Sequence, residues 1–445
     1  MGMNTFGAAI KRREDPRLIT GKGTYTDNMK LPGMTYAHIV RSPHAHAKIV
    51  SVDTSRAKML PGVVAVLTGQ DFAALGPLPC GWSHPGLIVP PHPAVAKDEV
   101  NCVGDPVAVV LAEDRYTARD AGDLVDVEYE LLPAVTSLTE AVKGEALVHP
   151  QIPNNTAFKW AIGDKAKTDE AFAAAAHVTK LHIRNNRIHA SAIEARVALA
   201  SYDTNMDTLT LWMTSQNPHI HRLLGAAFVL GMPEHKLRVI APDVGGGFGS
   251  KIFLYGEEII ACVASKTIGR PVKWTSTRSE AYLTDAHGRD HVTDAEMALD
   301  ASGKVLALRV HTLANMGAYL STFSTAVPTY LYGTLLSGEY AIPAIYCAVE
   351  GVMTNTVVVD AVRGAGRPEA TFVVERLMDA AAAELAMDPV AIRRHNFVQP
   401  NGFPYQTAVA LAYDSGNYEG ALNKALAMVD YENLLKQQKA MWAQG

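Results

Sequence analysis

Cysteine is scarce in this 445-residue chain, and what there is stands scattered. Cys80, Cys102, Cys262 and Cys347 lie far apart, with no CxxC pair among them. Iron–sulfur clusters and structural zinc sites draw on grouped thiolates, so neither is expected here. Isolated cysteines instead suit buried small apolar side chains in a reducing compartment. Any electron relay would then sit on another chain. Charge of one sign is also lacking: 40 Lys and Arg stand against 45 Asp and Glu, a formal net charge of −5. No basic excess marks a nucleic-acid partner. No apolar run reaches the roughly 18 residues of a spanning helix, so no membrane span is expected. The twin arginines Arg12 and Arg13 precede Glu14, Asp15 and Pro16 rather than an apolar stretch. That argues against an export signal and for a cytoplasmic protein.

The common nucleotide loops are missing too. In "PDVGGGFGSKI", Pro242 to Ile252, the triphosphate pattern G-x-x-x-x-G-K-[ST] fails at two positions. The dinucleotide pattern G-x-G-x-x-G fails because Ser250 stands where the third glycine belongs. Such a run is a hinge, a close backbone crossing, or a backbone cradle for a ligand. Two other stretches favour the cradle. "MTSQNPH" places Gln216 at a strand end, and "VDAVRGAGRPEA" carries a second glycine loop, Arg363 to Glu369, into a helix. Two glycine loops and an isolated amide suit a large, polar or anionic ligand held mainly by backbone.

The pattern along the chain is mixed α/β. Val107 to Leu111 reads as a continuous buried strand, and Asp114 as the cap of a helix from Arg115 to Ala121. Val125 to Tyr129 alternates as the next strand. The Pro- and Gly-dense stretch from Cys80 to Val100 reads as a long loop, suited to contact or surface. "DTLTLWMTSQ" and "HKLRVIAPDV" read as strands, and "HRLLGAAFVLGM" between them as a helix ended by Gly231. Ile259, Cys262, Val263 and Ile268 give a helix facing a core, with Gly269 placed to end it. Asp388 and Pro389 open another helix, and the polar C-terminal stretch is helical.

The stretches "TSQNPHIHR", "PDVGGGFGSK" and "VDAVRGAGRPEA", in this order and spacing, resemble the large subunit of molybdenum hydroxylases, the xanthine dehydrogenase and aldehyde oxidase family. The opening "RREDPRLITGKGTYTDNMKLPGMTYAHIVRSPHAHAKI" is similar to its aerobic carbon-monoxide-dehydrogenase-like branch. The resemblance implies an α+β, mixed α/β architecture. A segment with an α/β hammerhead-like domain would span residues 1–150. A first molybdopterin-binding domain would span 151–400, and a helical segment leading to or contacting the second half 401–445.

It also implies a molybdenum–molybdopterin cofactor in its cytosine dinucleotide form. Gln216 would lie near an oxygen ligand of the metal. Gly246, Gly247, Phe248 and Gly249 would line the other side, and Arg363 would contact the cofactor. Ile252 stands where purine-oxidising members carry a glutamate, and Ala365 where they carry a ring-stacking phenylalanine, so a purine substrate is not expected. Arg289 matches a substrate-side arginine. Gly364 replaces the cysteine that follows the arginine in copper-containing carbon monoxide dehydrogenases, so carbon monoxide oxidation is not expected.

No catalytic residue is assigned in this chain. The resemblance implies that the general-base glutamate belongs to a second half of the large subunit, either on a separate polypeptide, the favoured reading, or in the remainder of a longer chain of which this is a part. Glu194 and Glu369 are read as structural. Partners implied are that second half, a medium FAD subunit, a small subunit with two 2Fe-2S clusters, and a small-molecule substrate. The assembly would be a dimer of such heteromers. The expected reaction hydroxylates an N-heteroaromatic or aldehyde carbon with oxygen from water. The alternative is a non-catalytic binding or assembly subunit of the same fold. The histidine pairs His44/His46 and His219/His221 lack a third metal ligand nearby, and Trp82 and His84 read as surface or subunit contacts.

Overall fold

The computed structural model describes residues 7–444. Met1–Phe6, at the start of the first expected segment, and Gly445, at the end of the last, lie outside the described residues. Fifteen strands carry the two main architectures. In chain order they are β1 (Thr35–Arg41), β2 (Ala47–Asp53), β3 (Val63–Thr68), β4 (Glu99–Val100) and β5 (Pro106–Ala112). Then come β6 (Asp126–Leu131), β7 (Thr156–Gly163), β8 (His177–Asn185), β9 (Val197–Asp203) and β10 (Thr208–Met213). The last are β11 (Leu237–Ile240), β12 (Val272–Thr275), β13 (His291–Leu299), β14 (Val305–Gly317) and β15 (Ala344–Met353).

The chain divides into two compact units that interleave in sequence. Among the described residues the first holds 7–79, 91–132 and 190–285; the second holds 80–90, 133–189 and 286–444. In the first unit a seven-stranded sheet runs β11-β10-β9-β12-β1-β5-β3. Its centre is β12 lying parallel to β1, which joins residues far apart in sequence. β5 reads as an unbroken apolar run because Val107 through Ala112 are all fully buried. β10 alternates instead, with Leu209, Leu211 and Met213 buried. The helix Gly256–Ile268 lays Ile260, Ala261 and Ala264 into the same core as Trp274 and Leu199's neighbours Ala198 and Ala200. Gly269 ends that helix in the left-handed region at φ 65°. A smaller sheet, β4-β2-β6, completes this unit.

Local signals held well here. Asp114 caps the helix Arg115–Gly122 by accepting from the Tyr116 and Thr117 N–H groups. The expected plain helix ending at Gly231 differs: Pro218–Leu223 is α-helical, but Leu224–Leu230 widens into a π-helix. There the Val229 carbonyl accepts the Gly76 N–H at 3.0 Å. His219 and His221 sit on this helix, where a spacing of two puts them on different faces. His221 is buried and its Nε2 meets the Phe253 carbonyl at 2.7 Å.

In the second unit a five-stranded sheet runs β7-β15-β14-β13-β8. The helix Arg367–Glu384 packs on β8 and β13, burying Val373, Val374, Leu377 and Met378. The loop 80–90 belongs to this unit: Gly81 donates to the Thr322 carbonyl at 2.8 Å, and the His84 ring meets Phe158 edge-on at 4.6 Å. The terminal helices Tyr418–Val429 and Tyr431–Trp442 bury no residue. Cys102, Cys262 and Cys347 are buried, Cys80 is half-buried, and none of the four forms a disulfide. Among the described residues no helix is long and apolar enough to cross a membrane.

Candidate cofactor site

The first unit builds one cluster of the expected residues. Strand β10 ends at Met213 and delivers Gln216 three residues on; strand β11 ends at Ile240 and delivers the glycine run. No helix follows at once. The connection runs to Tyr255 before Gly256 starts the next helix, so the expected strand-to-helix junction is a long loop. Arg17 anchors its entry, donating twice to the Asp243 carboxylate at 2.5 and 2.7 Å, while the Thr24 N–H donates at 2.8 Å. The Arg17 bond, helped by Thr24, holds the Asp243 carboxyl down at about 2.

Within the loop, Gln216 and the backbone lock together. The Gln216 side-chain oxygen accepts from the Gly249 N–H at 3.0 Å and the Lys251 N–H at 3.3 Å. Its own backbone N–H donates to the Lys251 carbonyl at 2.9 Å. The carbonyl end of the amide is thus taken, and the NH2 end has no partner among the described residues. Gly247 makes this fit possible: a Cβ there would stand 2.3 Å from the Gln216 Oε1. The N–H groups of Gly246, Gly247 and Phe248 also lack an acceptor among the described residues. Phe248 adopts φ 54° and is 43% exposed. Left-handed residues between ordinary ones turn successive N–H groups to one side, which makes a concavity for anionic or oxygen-rich ligands. Ile252 donates its N–H to the Gly249 carbonyl at 3.1 Å and is partly buried.

Behind this loop lies a buried charge network. Arg196 donates to Asp285 Oδ1 at 2.6 Å and to Glu257 Oε2 at 2.9 Å, and its guanidinium lies 3.7 Å from the Tyr255 ring centre. Tyr255 in turn donates its hydroxyl to the Ser250 carbonyl at 2.6 Å. Burial raises the Glu257 carboxyl, but Arg196 and Arg41 outweigh it and hold it near about 2. Burial and the Glu257 charge push Glu258 up to about 8, despite Arg196.

The second unit builds the other loop. Arg363 is exposed, and its guanidinium has no partner among the described residues. Arg289 braces the backbone beside it, donating to the Val362 carbonyl and the Arg363 carbonyl, both at 2.9 Å. It also lies 3.4 Å from Glu369 Oε1. Burial raises the Glu369 carboxyl, with Arg289 acting against it. Gly364 adopts φ 110°, and a Cβ there would meet Pro368 Cγ at 2.4 Å. A cysteine at this position has no room in this conformation. Ala365 follows at φ 45° and is partly buried.

Gln216, Gly246, Gly247, Phe248, Gly249 and Ile252 are therefore brought together in the first unit, and Arg289, Arg363 and Ala365 in the second. Sequence reasoning missed Asp243 with Arg17 and left Lys251 without a task, and it read Glu194 as structural. The lysine closing a glycine run that fits no phosphate loop was the available signal for Lys251. Among the described residues no group of three or more His, Cys, Asp or Glu side chains could hold a metal directly.

The chain is similar to known proteins along most of its length. Residues 148–397 match the molybdopterin cofactor-binding domain. Residues 20–133 match the a/b hammerhead domain of aldehyde oxidase and xanthine dehydrogenase. The carbon monoxide dehydrogenase large chain of Afipia carboxidovorans is 41% identical over 98% of this chain and 55% of its own length. The nicotinate dehydrogenase large molybdopterin subunit of Eubacterium barkeri is 30% identical, over 93% of this chain and 95% of its own length. The crystal structure of quinoline 2-oxidoreductase from Pseudomonas putida 86 superposes with a TM-score of 0.93 at 35% identity, covering 99% of this chain and 56% of that one. Against the carbon monoxide dehydrogenase and quinoline oxidoreductase chains, this chain spans about half the relative's length.

Proposed function

The chain belongs to the aldehyde oxidase and xanthine dehydrogenase family, and on that premise we propose that it forms the cofactor-binding part of a molybdenum hydroxylase's large subunit. The observation that carries the reading is the set of donors in the first unit that lack a partner among the described residues: the Gln216 NH2 and the N–H groups of Gly246, Gly247 and Phe248. Such donors fit an oxygen-rich metal–pterin group better than a metal bound by side chains. Gln216, Gly246, Gly247, Phe248 and Gly249 would hold one face of the cofactor, and the unpaired Arg363 guanidinium its anionic part. When bound, the molybdenum–pterin group supplies a two-electron oxidation at an electron-poor carbon, with water as the source of oxygen. The cofactor takes the cytosine dinucleotide form, and the electrons leave through 2Fe-2S and FAD subunits. The general base comes from the part of the large subunit that this chain does not cover.

The substrate is an N-heteroaromatic or aldehyde. Relatives named for nicotine, nicotinate and quinoline support this choice. Ile252 and Ala365 offer small apolar walls, and Arg289 acts on the substrate side through the loop it braces. Carbon monoxide is not the substrate: Gly364 leaves no thiolate for copper, and its backbone conformation admits no cysteine.

The test is metal and nucleotide analysis of the chain purified with its partner subunits, followed by a substrate panel. Molybdenum near one per chain, cytidine monophosphate on acid hydrolysis, and labelled oxygen in product from labelled water are expected. A complex without molybdenum overturns the reading. Molybdenum without turnover of any quinoline, nicotinate or aldehyde substrate would instead favour the non-catalytic alternative.

A further inference from the structure

The loop that carries these donors is gripped at both ends by one residue outside it. Glu194 Oε2 accepts from the Gly245 N–H at 2.6 Å, and the Glu194 N–H donates to the Gly245 carbonyl at 3.2 Å. At the far end, the Lys251 ammonium donates to the Glu194 carbonyl at 2.7 Å and to Oε2 at 3.1 Å. The Lys251 side chain is 0% exposed, and that of Glu194 is 14% exposed. Glu194 Oε1 is buried with no hydrogen-bond partner, so the carboxylate gives its bonding to the loop through the other oxygen.

Lys251 passes the grip to Gln216. Its N–H and carbonyl are the groups that hold the Gln216 side-chain oxygen and backbone N–H. The ammonium and the amide are therefore linked through a single residue. A nearby carboxylate favours the charged form of a buried ammonium. Burial already lowers the Lys251 pKa, and Glu194 opposes that.

We propose that Glu194 and Lys251 form a clamp of positioning residues that fixes the direction of the Gln216 NH2 and of the Gly246–Phe248 N–H groups toward the cofactor. This rests on the molybdenum reading above. Neither residue touches the reacting atoms. Glu194→Gln keeps the shape of the side chain but removes the charge that Lys251 needs. Lys251→Met removes the ammonium and leaves Glu194 without its cation.

The test uses the chain in complex with its co-purifying subunits, in wild-type, Glu194→Gln and Lys251→Met forms. Three quantities are read: molybdenum per chain, the Mo(V) spin-resonance spectrum after dithionite reduction, and amide exchange of residues 245–251. The inference expects exchange of the Gly246–Gly249 amides to rise about tenfold in both variants. It also expects shifted Mo(V) g values in whatever molybdenum is retained. If Lys251→Met fails to fold, Glu194→Gln decides. Variants with wild-type exchange and spectrum, in a complex whose wild type holds molybdenum, overturn the inference alone. Faster exchange with an unchanged Mo(V) spectrum also overturns it, because the clamp would then support the fold without directing the donors. A wild-type complex without molybdenum overturns the functional reading and this inference with it.

Discussion

A single missing methyl group decides the shape of the donor loop. Gly247 lies so close to Gln216 that a Cβ would stand 2.3 Å from Oε1 and 2.5 Å from Cδ. Gly247→Ala is expected to push Gln216 aside and cost about 1–3 kcal/mol, the usual range for overpacking. Thermal unfolding of the chain and molybdenum per chain in the complex check this: both should fall. An unchanged molybdenum content would show that Gln216 can move without loss. The sequence made the glycine run visible, but not which glycine meets the amide. That depends on the turn of β10 toward the loop after β11, and two parallel neighbours in a sheet are set by pairing rather than by local pattern.

At the scale of elements, the helix Gly256–Ile268 begins with two buried carboxyls that behave oppositely. Glu257, beside Arg196 and Arg41, is held near about 2, and Glu258 is pushed up to about 8. A lowered carboxyl adds stability that is present above its unfolded value and lost as pH falls toward 2. A raised carboxyl does the reverse: its stability is full below the unfolded value near 4.5 and is lost as pH rises toward 8. Each unit of difference corresponds to about 1.4 kcal/mol. The unfolding temperature is therefore expected to rise from pH 2 to about 4.5 and then to decline toward pH 8. Glu258→Gln should flatten the decline and leave the acid limb. Thermal scans across pH measure it, and a decline of equal slope in the variant would refute the assignment. The apolar spacing of this helix was legible in sequence. Its charged start was not, because Glu257 and Glu258 look like ordinary first-turn acids until Arg196, sixty residues earlier, is brought against them.

At the scale of the molecule, each of the two units carries one of the two glycine loops. The chain spans about half the length of the carbon monoxide dehydrogenase and quinoline oxidoreductase chains it matches. Expressed alone, this chain is expected to retain about tenfold less molybdenum than when co-purified with the remainder of the large subunit, since a partner that binds the folded site stabilises it by mass action. Elemental analysis of the two preparations measures it. Equal molybdenum in both would mean that this chain completes the pocket unaided.

The sequence by itself determined the mixed α/β class, the caps at Asp114 and Asp388, the two glycine loops, and the exclusion of the common nucleotide patterns. These are local: each rests on residues within one turn or one strand of each other. Only the tertiary structure decided that β12 lies parallel to β1, that loop 80–90 belongs to the second unit, that Arg289 supports the Arg363 loop, and that Glu194 grips both ends of the glycine run. Those facts depend on pairings across tens to hundreds of residues. Such pairings are chosen by burial and by the need to satisfy every inward-facing polar group, and no short stretch of sequence states either condition.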